Sequence, residues 1–452
     1  VYVLELRQVD SWFTSELPRR SAVVRNVRQR KCRYACIAMP KMEEQRRIKM
    51  AEFTKEQQKF MSQLLELDGA VTHGSVDVYA RGVESPSPSL NYCFDNTWCL
   101  PQGYTLLLGG PAKGGKSLII NSMIGQMHRD DPTAICIRYN TEFREQAQVT
   151  PQQLKVWGID QNRLRAFEAN LPEMIFDKIE EIVPKMIQMG LNLRLVIIDS
   201  LNDIKGKRAV SAVSVMNNSI GDLAMTLQTG LGRIKGVLRT NNVSAIYTTH
   251  TRSEMDPNLV ARGQTTKFAV SHYVKHTAEY FLRVERLETK AGRTDLLGNE
   301  FKDGTHKVDL SGQNKGEGEE SGHRIRVKMM DSSLGRPGRI GIFTIDHDHG
   351  IVNTHEEVLL LGIGIGIVGV AGGGNYSIVK HDAASESLSP YLDKSWRGKE
   401  AILAAIRDDS VLYQGILKTC KAIDLDRRNG IFYDEEGKRT NQPVTEKSPD
   451  PV

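Results

Sequence analysis

Gly110-Pro111-Ala112-Lys113-Gly114-Gly115-Lys116-Ser117 follows the apolar run Tyr104 to Leu108 and leads into helical spacing at Leu118, Ile119, Met123 and Ile124. A strand, a glycine-rich turn and a helix N-terminus in that order make a cradle for a polyphosphate. The glycines turn backbone N–H groups inward, Lys116 reaches the β and γ oxygens, and the Ser117 hydroxyl suits Mg²⁺. The helix N-terminus adds its own attraction for an anion. The nucleotide contacts expected from this stretch are Gly110, Pro111, Ala112, Lys113, Gly114, Gly115, Lys116, Ser117 and Leu118, with ATP and Mg²⁺ as the ligands.

Working outward, strand-like runs recur at Ala134 to Tyr139, Leu193 to Ile198 and Val243 to Thr248, separated by helical segments. This is the alternation of a mostly parallel sheet with helices on both faces. Apolar residues at Ile220, Leu223, Ala224, Leu227, Leu231, Ile234 and Leu238 form one helical stripe, read as core. Further strands are expected at Tyr280 to Arg286, Arg324 to Met329 and Arg339 to Ile345. The alternating Arg324, Arg326 and Lys328 share one strand face, read as solvated.

The chemistry collects at strand ends. Leu195-Val196-Ile197-Ile198-Asp199-Ser200 is an apolar run closed by one carboxylate, which makes Asp199 the residue expected to support the metal, directly or through water; an N-cap aspartate is the plain alternative. Cys136-Ile137-Arg138-Tyr139-Asn140-Thr141-Glu142 places Glu142 at the carboxyl edge of the sheet, where ligands bind, as the expected general base. Ile246-Tyr247-Thr248-Thr249-His250 ends the next strand on a neutral hydrogen-bonding group that could sense a γ-phosphate; a structural histidine is the plain alternative.

The chain has 452 residues, 40% of them apolar, so it can bury a large core. Its six cysteines are scattered without a paired CxxC spacing, which argues against a disulfide framework or a zinc site and for a reducing, intracellular setting. The first 49 residues carry a net charge of +7, which leaves the remaining 403 near −2. This basic segment stops at Met50-Ala51-Glu52-Phe53, which resembles a protein start. It reads as an extension outside the folded part, with an Arg-rich transit peptide or a basic nucleic-acid arm as the other readings.

Phe53, Phe60, Leu64 and Leu65 predict a helix within 50–70, and Glu84-Ser85-Pro86-Ser87-Pro88-Ser89 reads as a turn-rich connection. Residues 290–322 read as a polar, acidic insertion and 351–427 as a small C-terminal domain, with helices around Lys399 to Ile406 and Val411 to Ile423 and a polar tail after Arg427. The uncharged run Val358 to Gly374 is too rich in glycine for a membrane span. Its Gly364-Ile365-Gly366-Ile367-Val368-Gly369 has the GxGxxG spacing but no helical pattern after it, so it reads as a packing device.

Taken in order, the 110–117 loop, Asn140-Thr141-Glu142-Phe143, Leu154 to Asp160, Ile198-Asp199-Ser200-Leu201 and Thr249-His250-Thr251 resemble the RecA-type recombinases, and the bacteriophage UvsX branch in particular. Gln264 to Ala269, Gly374 to Ser377 and Lys394 to Lys399 add to the likeness, which spans roughly 70–425. The resemblance implies an α/β RecA-like core at 101–350, preceded by a protomer-linking element at 50–100, in a DNA-dependent ATPase. Such a protein forms helical homo-oligomers on single-stranded DNA and pairs it with homologous duplex DNA in recombination, repair and recombination-dependent replication.

It further implies that Glu142, Lys116 and His250 are catalytic, and that two segments, about 203–218 and 251–275, meet DNA. Lys205, Lys207, Arg208, Arg252, Arg262, Lys267 and Phe268 suit phosphates with an apolar wedge. A contact to ATP on a neighbouring subunit would fall to Lys328, Arg336 or Arg339, where the likeness slips. A single-strand-binding protein, a loading mediator and a cytoplasmic setting, that of a phage-infected bacterium, complete the expectation, with no membrane partner. A ring-forming DnaB-like motor and a non-catalytic, nucleotide-gated DNA-binding regulator are the alternatives.

Overall fold

The computed structural model describes residues 82–143, 150–206, 221–255, 266–287, 307–308, 319–320, 322–346, 348–434 and 437–440. The chain divides into two compact units, Val1–His73 and Gly74–Val452, and every described residue lies in the second. The expected basic extension, the helix within 50–70, Lys207, Arg208, Arg262 and most of the 290–322 insertion lie outside the described residues.

A central sheet organises this unit. Its strands are β1 (Thr105–Gly110), β2 (Ile135–Asn140), β3 (Leu164–Glu168), β4 (Leu193–Asp199), β5 (Ser244–Ser253), β6 (Thr266–Phe268), β7 (Tyr280–Arg286), β8 (Gly322–Ser332), β9 (Ile340–Asp346) and β10 (Gly350–Val352). They run in the order β10-β9-β8-β7-β1-β5-β4-β2-β3, with β6 paired antiparallel to β5. The half from β7 to β3 is parallel, and β8, β9 and β10 continue it antiparallel.

The central parallel strands β1 and β4 are rich in consecutive apolar residues because helices cover both of their faces. Alternate residues go to opposite sides. Leu106, Leu108, Ile197 and Ile246 pack with Ile119, Ile120, Met123 and Ile124 of helix α2 (Lys116–Asp130). Leu107, Val196, Ile198 and Tyr247 pack with Ile179 and Val183 of α4 (Lys178–Gln188) and with Leu227, Leu231 and Ile234 of α5 (Asp222–Thr240). The fold is therefore mixed α/β with a large, mostly parallel sheet.

The Ser-Pro stretch differs from its turn-rich reading, because it is buried. Ser87 caps helix α1 (Pro88–Cys93) by accepting from the Leu90 N–H, and the Asn91 side chain closes a ring with the backbone of Ser85. With these local bonds, and with Glu357 accepting from the Ser87 hydroxyl and the Ser89 N–H, the segment can enter the interior. A third core forms from Val358, Leu359 and Leu361 of α7 (Thr354–Ile365) with Ile402 and Ile406 of α8 (Lys399–Asp408) and Leu412, Ile416 and Ile423 of α9 (Ser410–Arg428). Trp98 belongs to it as well.

The GxGxxG run is the end of α7. Gly366, at φ +97°, caps the helix while its N–H and that of Ile367 bond back to the Gly362 carbonyl at 3.1 and 2.8 Å. A three-stranded sheet at 368–397 follows. Among the described residues no helix is long and apolar enough to cross a membrane.

Glu357 of α7 is fully buried against α1. Its Oε2 accepts from the Ser87 hydroxyl at 2.5 Å and the Ser89 N–H at 2.9 Å. Burial pushes its carboxyl up to about 8, against the pull of those two donors. The unfolded chain ionises this group near 4.5, so folding holds a proton that the unfolded state releases, and stability is lost as pH rises across that window. Glu357→Gln removes the titration. The variant should therefore gain on the parent in melting temperature between pH 5 and pH 8, and an identical difference at both pH values would contradict this assignment.

Candidate functional site

The phosphate loop joins β1 to α2 at the carboxyl edge of the sheet. Gly115 caps α2 at φ +90°, and a Cβ there would lie 2.3 Å from Ile325 Cδ1, so both backbone and space require glycine. Pro111, Ala112 and Lys113 are exposed, whereas Gly114, Gly115 and Lys116 are buried. The Lys116 ammonium donates to the carbonyls of Gly110 (3.1 Å) and Pro111 (2.8 Å). Burial pulls its pKa below the ordinary lysine value, while Asp199 and Glu142 pull the other way. An ammonium held on two loop carbonyls can exchange them for the oxygens of a bound polyphosphate.

Asp199 ends β4 beside the loop. Its Oδ2 accepts from Ser117 Oγ at 2.9 Å and its Oδ1 from Thr248 Oγ1 at 2.5 Å. It caps no helix; the side chain is turned to the loop. Hydroxyl and carboxylate are both hard oxygen donors, the set that Mg²⁺ takes when it also keeps waters and phosphate oxygens. Thr141 secures the next residue across the cis Asp199–Ser200 peptide, donating to the Ser200 carbonyl at 2.6 Å and accepting from its N–H at 2.7 Å.

Glu142 and His250, distant in sequence, meet here. In register Gly110 lies beside His250 and Asn140 beside Asp199, so β1, β5, β4 and β2 end together. Glu142 Oε1 is 3.0 Å from His250 Nε2. With the carboxylate as acceptor, Nε2 carries the proton. They line a cavity of about 350 Å³ with Ala112, Thr141, Asn170 and Asp203. Asp203 brings a second carboxylate to within 4.8 Å of the pair. The sequence reading missed Asp203, Thr141 and Thr248; the available signal was their polarity within four residues of Asp199, Glu142 and His250.

A second cavity, of about 600 Å³, lies on the other side of the loop and is lined by Pro111 to Gly114, Thr251, Thr266, Arg283, Glu285, Arg286 and Leu287. Of the cations expected to meet DNA, Lys205, Arg252 and Lys267 are among the described residues. Lys205 and Arg252 are exposed, and Lys267, 53% exposed, sits 3.1 Å from Glu254.

Phe268 is not an outward wedge. Its ring lies over Gly109, where a Cβ would come within 2.4 Å of it, and meets Phe281 edge-on with centroids 4.5 Å apart. The aromatic gains more from packing on the back of the loop strand than from facing water. Lys328 and Arg336 are exposed, whereas Arg339 is held inside the molecule by Asp95 and Asp424.

No family model matches this chain. Over 353 residues, 76% of this chain and 82% of the relative, it is 21% identical to the RecA protein of Chlorobium chlorochromatii. Over 327 residues, 71% of this chain and 77% of the relative, it is 22% identical to that of Amycolatopsis mediterranei. The chain is similar to RecA proteins. A stretch of 205 residues, 44% of the chain, is also 25% identical to the recombination and repair protein of Enterobacteria phage T4. That match spans 48% of the phage protein, about half its length. The RecA matches cover more than two thirds of this chain, and the α/β architecture accords with a RecA-like core.

Proposed function

We propose that this chain is a DNA-dependent ATPase of recombination and repair, which assembles as a helical filament on single-stranded DNA and exchanges strands with homologous duplex. The observation that carries the reading is the Glu142–His250 contact. A candidate base on one strand end touches a candidate sensor on another, and the sensor's strand runs on into Arg252 and the β6 hairpin. The relatives' names, RecA and a recombination and repair protein, supply the class of activity.

In this reading Gly110 to Leu118 hold ATP, with Lys116 neutralising the β and γ oxygens. Ser117 and Asp199 hold Mg²⁺, which when bound offsets phosphate charge and orients the oxygens. Glu142 takes the proton of the attacking water, and His250 fixes the carboxylate orientation until a γ-phosphate competes for its Nε2–H. The change at His250 reaches its own backbone and the residues that follow, which makes the nucleotide a switch for DNA contact as well as a substrate. Lys205, Arg252 and Lys267, together with Lys207, Arg208 and Arg262, supply charge for DNA phosphates.

Lys328 and Arg336 are the exposed cations proposed to reach a neighbouring subunit's nucleotide, and a nucleotide held by two subunits favours open, head-to-tail assembly. A single-strand-binding protein and a loading mediator are the further proposed partners. Electron microscopy with single-stranded DNA and ATP, run beside steady-state hydrolysis, tests the reading. Helical filaments with DNA-stimulated turnover are expected. Closed rings that unwind a fork would assign the chain to a translocating motor, and nucleotide binding without turnover would assign it to a regulator.

A further inference from the structure

Asn202 lies three residues beyond Asp199, where the chain leaves β4 for the segment that holds Lys205. Its Oδ1 accepts two hydrogen bonds from the end of β5, from the His250 N–H at 2.7 Å and the Thr249 hydroxyl at 3.0 Å. Its Nδ2 donates to the Ala269 carbonyl at 2.8 Å, immediately after β6. The Ala269 N–H in turn bonds the His250 carbonyl at 2.8 Å, which closes a ring. One side chain thus ties together the exit of β4, the end of β5 and the return from β6, while the imidazole of the same His250 touches Glu142.

We propose that Asn202 is a positioning residue that couples the nucleotide site to both proposed DNA segments. It touches no reacting atom, and it acts through the backbone of His250. The proposal rests on the reading above for its nucleotide and DNA sites, and its second readout depends on nucleotide binding alone. A primary amide is the group this place needs: it accepts from two donors and donates to a carbonyl at once. Aspartate keeps the acceptors and sets an anion against the Ala269 carbonyl, whereas alanine removes the bridge altogether. When His250 Nε2 gives up Glu142, the movement of the His250 backbone reaches the 200–206 stem through this amide, which also adds a second tie to the 266–270 stem beside the Ala269–His250 backbone bond.

The test compares the parent, Asn202→Ala and Asn202→Asp. The first readout is ATP turnover with and without single-stranded DNA. Both variants should keep the basal kcat and the KM for ATP, and should lose about tenfold or more of the DNA-stimulated kcat, in the range of allosteric couplings. Unchanged stimulation in both variants overturns the proposal. So does a parallel loss of basal and stimulated rates, which would mark a merely structural role.

The second readout needs no DNA: amide hydrogen exchange with and without a non-hydrolysable ATP analogue. In the parent the analogue should change exchange at 110–118, 200–206 and 266–270. In the variants the change at 110–118 should persist, which also shows that the site is folded, while that at 200–206 should vanish and that at 266–270 should be smaller than in the parent. Persistence of all three in the variants overturns the coupling. A parent whose turnover ignores DNA but whose stems respond to the analogue would refute the recombinase reading while leaving the coupling in place.

Discussion

Glu142→Gln is expected to cut ATP turnover by about 10²- to 10⁴-fold, the usual contribution of a positioned base. The substitution retains the side-chain oxygen, so the 3.0 Å contact with His250 Nε2 can persist and the cavity keeps its shape. What it removes is the ability to accept a proton from water. Nucleotide affinity should stay within a few-fold of the parent, because the proposed reading assigns the affinity to Lys116 and the loop N–H groups. Single-turnover kinetics with a separate binding measurement would check this. Near-normal turnover would remove Glu142 from the role and direct attention to Asp203, the other carboxylate of the cavity.

The second large effect concerns stability. Arg339 precedes β9 and reaches into a buried cluster, donating to both Asp424 oxygens at 2.7 and 2.6 Å and to the Tyr92 carbonyl at 3.0 Å, with Asp95 a further partner. Its guanidinium also lies 4.2 Å from the centre of the Tyr92 ring. Trp98 Nε1 donates to Asp424 at 2.8 Å, so that carboxylate accepts from two chain segments. Both aspartates are 5% exposed or less.

Arg339→Ala would leave two buried carboxylates without their cation, a change that costs about 3–5 kcal/mol when one partner of a buried pair is removed. Urea denaturation should show a loss of unfolding free energy of that size, read as the midpoint shift multiplied by the slope m. Combining Arg339→Met with Asp95→Asn and Asp424→Asn should recover part of it, since the uncompensated charge is the source. A loss below about 1 kcal/mol for Arg339→Ala, a value typical of exposed pairs, would contradict the account.

The parallel strands were legible because a strand covered on both faces must be apolar at every position, as in Leu106-Leu107-Leu108 and Val196-Ile197-Ile198. Edge strand β3 was not. Only Leu164 is buried there, and Arg165 and Glu168 read as surface. Asp199, Glu142 and His250 could each be located by their place at the end of an apolar run.

Their meeting could not be read, since 108 residues separate Glu142 from His250 and the contact depends on strand order. The same limit hid the Asp95–Arg339–Asp424 cluster, whose charges are spread along the chain and paired only by folding. Phe268 reads as an apolar wedge because it stands among cations, whereas in the fold its ring covers Gly109 and meets Phe281. The buried Ser85 to Ser89 segment misled because its composition marks a turn, whereas its local hydrogen bonds make it fit for the interior.

The most direct test of the central claim is joint-molecule formation between single-stranded DNA and a supercoiled duplex, measured with the parent protein and ATP. The account predicts joint molecules with a homologous duplex, none with a heterologous one, and none when ATP is omitted. Failure to pair homologous DNA, under conditions where the same preparation hydrolyses ATP and coats single strands, would contradict it.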